Sequence, residues 1–289
     1  MVVGEVLWDL FGESRRLGGA PLNFAAHSRR LGHNPILISA VGTDTMGEQA
    51  ASEIAALGLD TAFLQKTPRF PTGIARVLLG PDERTCFVIE RPAAYDAVSI
   101  SGRAMERLIR LAPDWFYYGT LFASRHEGAA VLTSLLEALP QAARFYDLNL
   151  RPGFDDPALV LRLLGQAHVV KLNEEELHTV HESTGLPSTR EAFCREGSKR
   201  YGWKAVCVTL GARGCAVLAC GQYVEAAGRA VDVADPVGAG DAFAAAFLHG
   251  VTCQWPVAEI AAFANRVGAL VASRHGAIPD WTIQEAVKL

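Results

Sequence analysis

The sequence predicts an α/β fold of three layers, a mostly parallel sheet with helices packed on both faces. Short apolar runs alternate with amphipathic stretches for most of the 289 residues. The stretches between successive runs are long enough for a helix, the crossover that parallel strands require. The final third changes character, with residues 241–250 and 257–274 reading as two consecutive helices.

Strands are predicted at residues 2–7, 35–41, 115–118, 144–147, 169–172 and 205–209, where β-branched, leucine and aromatic side chains cluster. Helices are predicted between them at 22–31, 46–57, 102–111, 127–139, 158–167 and 190–201. Met46, Ala50, Ile54 and Leu57, for example, fall on one helical face. One stretch breaks the alternation. Residues 72–79 and 84–90 read as short strands joined by the turn sequence Gly80-Pro81-Asp82-Glu83. Two strands this short are not stable alone, so they are expected to form a small sheet with residues near 10–16. The chain is thus read as a single domain, 1–289, with a β flap from about 10–16 and 70–96.

Half of the residues are hydrophobic and a fifth are charged, the profile of an ordinary globular protein. The formal net charge of -4 argues against nucleic-acid and anionic-membrane partners, which favour a basic surface. The six cysteines show no Cys-x-x-Cys pair and several lie in apolar runs. They are expected to be free thiols, Cys207 and Cys215 being half-buried strand residues. The opening residues lack the basic and apolar regions of a secretory leader, and a cytoplasmic location is expected. His178 and His181 have a zinc-compatible spacing but no third ligand, and are read as surface residues.

The chemistry is concentrated in Asp232-Val233-Ala234-Asp235-Pro236-Val237-Gly238-Ala239-Gly240-Asp241. Here a glycine-rich turn runs into a helix with an acid at its start. Converging amides and the helix dipole make an anion site. Asp241 could then take a proton from an attacking hydroxyl while those amides stabilise a phosphoryl group. Read alone, Asp241 is equally well a helix cap. The segment is neither a Walker loop nor the dinucleotide fingerprint. A second glycine turn, Gly18-Gly19-Ala20-Pro21-Leu22-Asn23, opens another helix and is followed by Gly32 and Gly42.

The spacing of Asn23, Gly32 and Gly42, together with residues 235–241, resembles both signature patterns of the ribokinase-like (PfkB) sugar kinase family. The resemblance spans essentially the whole chain. It implies a three-layer ribokinase-like domain with a small β-sheet lid, the sugar lying between the two. It implies that Asp241 is the base and that the amides of Gly238, Ala239 and Gly240 form the anion hole. Asp9 and Asn23 would hold the sugar, with Gly18 and Gly19 permitting close approach. Glu5 is either a structural acid or a pocket residue. In Asp147-Leu148-Asn149-Leu150-Arg151 the polar groups alternate onto one face. There Arg151 would steady phosphate or substrate, or make a structural ion pair.

For ATP, the resemblance implies Asn173, Thr209, Gly211, Gly214 and Asn265. Glu176, of the Asn-x-x-Glu motif, would organise Mg2+ indirectly, although a charged helix start explains the same residues. Arg213 reads as a solvated turn residue. Asp235 would help bind a monovalent cation such as K+, with a second loop at 272–276. Pro236 stands where relatives usually have threonine, which puts that cation in question.

The segments Gly4-Glu5-Val6-Leu7-Trp8-Asp9, 18–23 and Gly119-Thr120-Leu121 are similar to those of bacterial fructokinases. The expected reaction is therefore ATP with D-fructose giving fructose 6-phosphate. Ribose, another ketose, a keto-deoxy sugar acid and a nucleoside are the alternatives, as is a catalytically silent binding protein. The expected partners are thus a sugar and ATP, and the lid edge leaves room for a homodimer.

Overall fold

The computed structural model describes residues 1–12, 14–79 and 85–289. Its strands are β1 (Val2–Val3), β2 (Leu7–Phe11), β3 (Ser14–Gly18), β4 (Leu37–Gly42), β5 (Leu64–Thr67), β6 (Gly73–Leu79) and β7 (Thr85–Ile89). They continue with β8 (Trp115–Gly119), β9 (Ala143–Asp147), β10 (Val169–Asn173), β11 (Ala205–Thr209), β12 (Gly214–Ala219) and β13 (Gln222–Ala227). The helices are α1 (Ala20–Arg30), α2 (Thr45–Ala56), α3 (Gly102–Leu111), α4 (Thr120–Ala123), α5 (His126–Ala138) and α6 (Pro157–Gln166). After them come α7 (Glu174–Thr184), α8 (Arg190–Tyr201), α9 (Ala239–Thr252), α10 (Val257–Ala272) and α11 (Ile283–Lys288).

Among the described residues the large sheet has the order β13-β12-β11-β10-β9-β8-β1-β4-β5. It is parallel from β11 to β5 and antiparallel only at the β11-β12-β13 edge. Side chains alternate across it with period two. Tyr117, Phe145 and Val169 face a core with Leu22, Phe24, Phe247 and Phe263 of α1, α9 and α10. Phe116, Tyr118, Tyr146 and Val170 face the other core, with Leu108, Leu135, Leu163 and Phe193. The three-layer α/β/α expectation is met. No helix is long and apolar enough to cross a membrane, among the described residues.

Residues 2–7 do not form one strand. The chain leaves the large sheet after Val3 because Gly4 passes hard against α1, where a Cβ would lie 2.4 Å from Pro21 Cγ. By Leu7 it pairs instead with Gly18 and Gly73 in a second sheet of order β3-β2-β6-β7. Asp9 therefore sits mid-strand in the small sheet. Three further strands lie outside the expected set. Strand β5 is a polar edge segment, and β12 and β13 are joined through Cys220 and Gly221 with φ of 48° and 76°. Successive left-handed residues are what a two-residue hairpin turn requires. Cys207 and Cys215 are fully buried rather than half-buried, because α10 covers their face. With Cys194, Cys220 and Cys253 they are free thiols.

Strand β1 has β8 on one side and β4 on the other, so the crossovers diverge there. Open α/β sheets bind ligands in the crevice beyond the carboxyl ends of strands at such a switch point.

Candidate active site

A cavity of about 270 Å³ occupies that crevice, between the ends of β1, β8 and β9 and the small sheet. Its lining brings together Asp9, Gly19, Asn23, Arg151, Gly238, Gly240 and Asp241, joined by Glu5 and Asn149. A larger hollow of about 710 Å³ is lined by Met1, His33, Trp115 and His249 near the opposite, amino ends of the strands. Its lining has Asp60 and Asp114 but no glycine turn at a helix start, so the smaller cavity is the candidate site.

Helix α9 starts at the cavity wall. Gly238 caps it with φ 80°, and a Cβ there would come within 2.4 Å of the Ala277 carbonyl oxygen. Only glycine satisfies both constraints. Gly240 differs, since a Cβ on it would meet nothing closer than Lys171 Nζ at 4.0 Å. The protein leaves that space open toward the cavity. The Ala239 N–H turns back to Pro236 O at 3.3 Å and the Asp241 N–H to Gly238 O at 3.1 Å. The Gly238 and Gly240 N–H groups have no acceptor among the described residues, which suits them to an anion.

Asn23, on the first turns of α1, donates its amide to Asp241 Oδ2 at 2.8 Å. Burial raises the Asp241 pKa to about 7 against that hydrogen bond, and nearby Asp147 adds to the rise. A carboxyl tuned to neutral pH is suited to proton transfer. Burial likewise lifts Asp9 to about 7, with Arg151 opposing it. Gly18, at the end of β3, lies under the Asp9 carboxyl, where a Cβ would fall 2.5 Å from Asp9 Oδ2. Gly19 lies against the Glu5 carbonyl, 2.5 Å from its own virtual Cβ. The two glycines make room for the carboxylate and the strand end respectively. Burial also raises the Glu5 pKa. Its Oε2 and the Asn23 Oδ1 are buried at the cavity wall without a hydrogen-bond partner.

Beneath the α9 turn lies a buried ion pair. Period two puts Asp147 and Lys171 on the α9 face of neighbouring strands, with Lys171 Nζ 2.8 Å from Asp147 Oδ1. Burial alone would lower the Lys171 pKa, but the Asp147 and Glu176 carboxylates outweigh it and raise it. Sequence reasoning passed over Lys171. Its signal was a lone charge inside the apolar run Val169-Val170-Lys171-Leu172, which demands a partner. Asn149 was also passed over as a site residue; it lines the cavity with φ 43°, a strained value for a non-glycine residue.

None of the residues expected around the nucleotide lines this cavity; Asn173 and Thr209 end β10 and β11, Gly211 and Gly214 lie at the turn after β11, and Asn265 is on α10. Asn173 pairs in register with Thr209 and caps α7, accepting from the Glu176 N–H at 2.8 Å. Glu176 Oε2 accepts from the Asn173 N–H and Oε1 from the Leu150 N–H, so both its oxygens brace backbone. Gly211 and Gly214 both have positive φ in the β11-β12 turn. Asn265 donates to the carbonyls of Ala226 and Ala227 at 3.2 Å. Arg213 is 64% exposed and pairs with Glu174, as expected of a turn residue.

The sequence pattern of the pfkB family of carbohydrate kinases matches residues 5–284. The chain belongs to that family. This pfkB kinase is 30% identical to the fructokinase of Escherichia coli over 296 residues, covering 96% of this chain and 94% of that one. The crystal structure of Xylella fastidiosa fructokinase with bound ATP superposes with a TM-score of 0.83 at 23% identity, covering 99% and 95% of the two chains. A double mutant of Vibrio cholerae fructokinase, crystallised with fructose, ADP and potassium ion, gives 0.80 at 24% identity and 96% and 93% coverage. The family accounts for the ribokinase-like fold and makes this pfkB kinase an enzyme that phosphorylates sugars.

Proposed function

We propose that this pfkB kinase transfers the γ-phosphoryl group of ATP to D-fructose, with Asp241 as the base. The observation that carries the proposal is the Asp241 carboxyl, at the start of α9, sharing one cavity with Asn23, Asp9 and Arg151. The sugar lies between the small sheet, acting as a lid, and the strand ends. Its attacking hydroxyl gives its proton to Asp241 as its oxygen bonds to the γ-phosphorus and the bond from that phosphorus to the bridging oxygen breaks, releasing ADP. The phosphoryl charge then faces the Gly238 and Gly240 N–H groups and the helix dipole. Other sugar hydroxyls supply the donors that Glu5 Oε2 and Asn23 Oδ1 lack. Arg151 opposes the rise in pKa at Glu5, Asp9 and Asp241 alike. A guanidinium already balanced by acids favours a neutral sugar over a sugar acid, and the fructokinase relative favours fructose among neutral sugars.

In this reading ATP runs along the ends of β10 and β11 toward α10, in contact with Asn173, Thr209, Gly211, Gly214 and Asn265. Among the described residues no cluster of three metal-ligating side chains occurs. Mg2+ is therefore taken to arrive on the ATP phosphates, with Glu176 acting through the backbone it braces.

A coupled ADP-release screen over fructose, ribose, a keto-deoxy sugar acid and adenosine tests the substrate, and fructose is expected to give the highest kcat/KM. In Asp9→Ala the sugar KM is expected to rise ~10–100-fold, the worth of hydrogen bonds to a charged group, at unchanged KM for ATP. An unmoved sugar KM removes Asp9 from the pocket.

The pH profile follows from the carboxyl groups. A base works only when ionised, so kcat/KM is expected to rise with pH through about 7, the pKa of Asp241. Below that point it falls about tenfold per pH unit for each carboxyl that must ionise. Asp9→Asn is expected to retain the Asp241 limb. A flat profile from acid to neutral pH contradicts the Asp241 assignment.

A further inference from the structure

The resemblance to the family assigns Asp235 to a monovalent cation, and a Vibrio cholerae relative was crystallised with potassium ion. The residues present here do not fit such an ion. Asp235 Oδ1 accepts from the Val237 N–H at 3.1 Å, and Oδ2 accepts from the Gly276 N–H at 3.1 Å and from the Arg16 guanidinium. The carbonyl of Ala272, the last residue of α10 where the second loop begins, is taken by the Ala234 and Asp235 N–H groups at 2.9 and 3.1 Å. A monovalent cation needs several free oxygens, and these are already engaged by donors. One of those donors carries a full positive charge.

We propose that Arg16 is a positioning residue that takes the place of the activating cation, so that this kinase works without K+. The side chain comes from β3 of the small sheet, directly across from Asp9. It passes along Gly276, whose virtual Cβ lies 3.9 Å from Arg16 Cδ, and its guanidinium stacks 5.2 Å from the Phe11 ring centre. Through Asp235 it joins three pieces of chain: the lid strand, the turn leading into α9, and the loop at 272–277. That loop walls Gly238 through Ala277, which is itself fixed by buried His27 at 2.9 Å. A fixed guanidinium thus supplies the charge that keeps the Gly238 and Gly240 N–H groups and Asp241 in register. It differs from a diffusible ion in two ways. It is always present, and it tethers the lid to the catalytic turn. The inference rests on reading the α9 turn as catalytic.

The test compares wild type, Arg16→Ala and Arg16→Lys in KCl and in tetramethylammonium chloride at matched ionic strength near 0.1 M. Both ADP release and Tm are followed, together with direct binding of thallous ion by 205Tl NMR. Wild type is expected to show the same kcat and Tm in both salts and no bound thallous ion. Arg16→Ala is expected to lose activity in tetramethylammonium, and K+ to raise both its Tm and its kcat, the latter ~5-fold or more. Arg16→Lys keeps the charge and is expected to stay insensitive to K+. Activation or thermal stabilisation of wild type by K+ overturns the proposal, as does an Arg16→Ala variant fully active without K+. The Tm and thallous-ion readouts do not depend on turnover. An active Asp241→Asn variant would therefore defeat the catalytic reading while leaving the cation result standing.

Discussion

Asp241→Asn is expected to lower kcat by ~10²–10⁴-fold, the usual worth of a positioned base, with little change in either KM. The substitution keeps the shape of the side chain and its contact with Asn23, and removes only the ability to accept a proton. Stability should not suffer. Burial lifts the pKa of this acid from its ordinary value to about 7, so the folded protein disfavours the carboxylate. The unfolded chain does not share that penalty, and the cost is present at high pH and vanishes as pH falls below the unfolded value. A neutral amide avoids it, and Asp241→Asn is expected to melt no lower than wild type at pH 8. Sites built for catalysis commonly hold such local instability. Steady-state kinetics and a thermal melt on the same sample decide it. Activity within about tenfold of wild type removes Asp241 as the base.

What could be read from the sequence was local along the chain. The turn into α9 announced itself because its glycines, small residues and acid are consecutive. The turn into α1 did so for the same reason. The alternation expected from Asp147 to Arg151 does not hold, because β9 ends at Asp147 and Asn149 has φ 43°, so Asn149 and Arg151 reach the cavity from a loop. Pairings across the chain were not legible. Nothing near Arg16 points to Asp235, which it meets only because β3 folds over the loop at 272–276. Lys171 and Asp147 become neighbours through the register of β9 against β10. The split of residues 2–7 between two sheets was hidden by continuous apolar character, and is decided by the closeness of Gly4 to Pro21 in another element. The Gly240 space is likewise invisible in one dimension, because it is defined by what surrounds the residue.

Lys171→Met is expected to cost ~3–5 kcal/mol of folding stability. The lysine is buried between strands with Asp147 at 2.8 Å, and the Asp147 side chain is 0% exposed. Deleting the cation leaves Asp147 a buried charge whose remaining hydrogen bond is the Tyr117 hydroxyl at 3.2 Å. Glu176, whose pKa burial already raises, also loses its nearest opposing charge. Urea unfolding should show the loss as a lower midpoint at an unchanged slope. The double variant Lys171→Met/Asp147→Asn separates pairing from packing. It removes both charges yet keeps a partner for Tyr117, and is expected to regain most of what the single variant loses. Regained stability with kcat still depressed means that the ammonium under Gly240 contributes to phosphoryl transfer by its charge. Full recovery of both confines the pair to folding. A single variant within about 1 kcal/mol of wild type contradicts the desolvation argument itself, because no buried carboxylate stripped of its counter-charge is tolerated so cheaply.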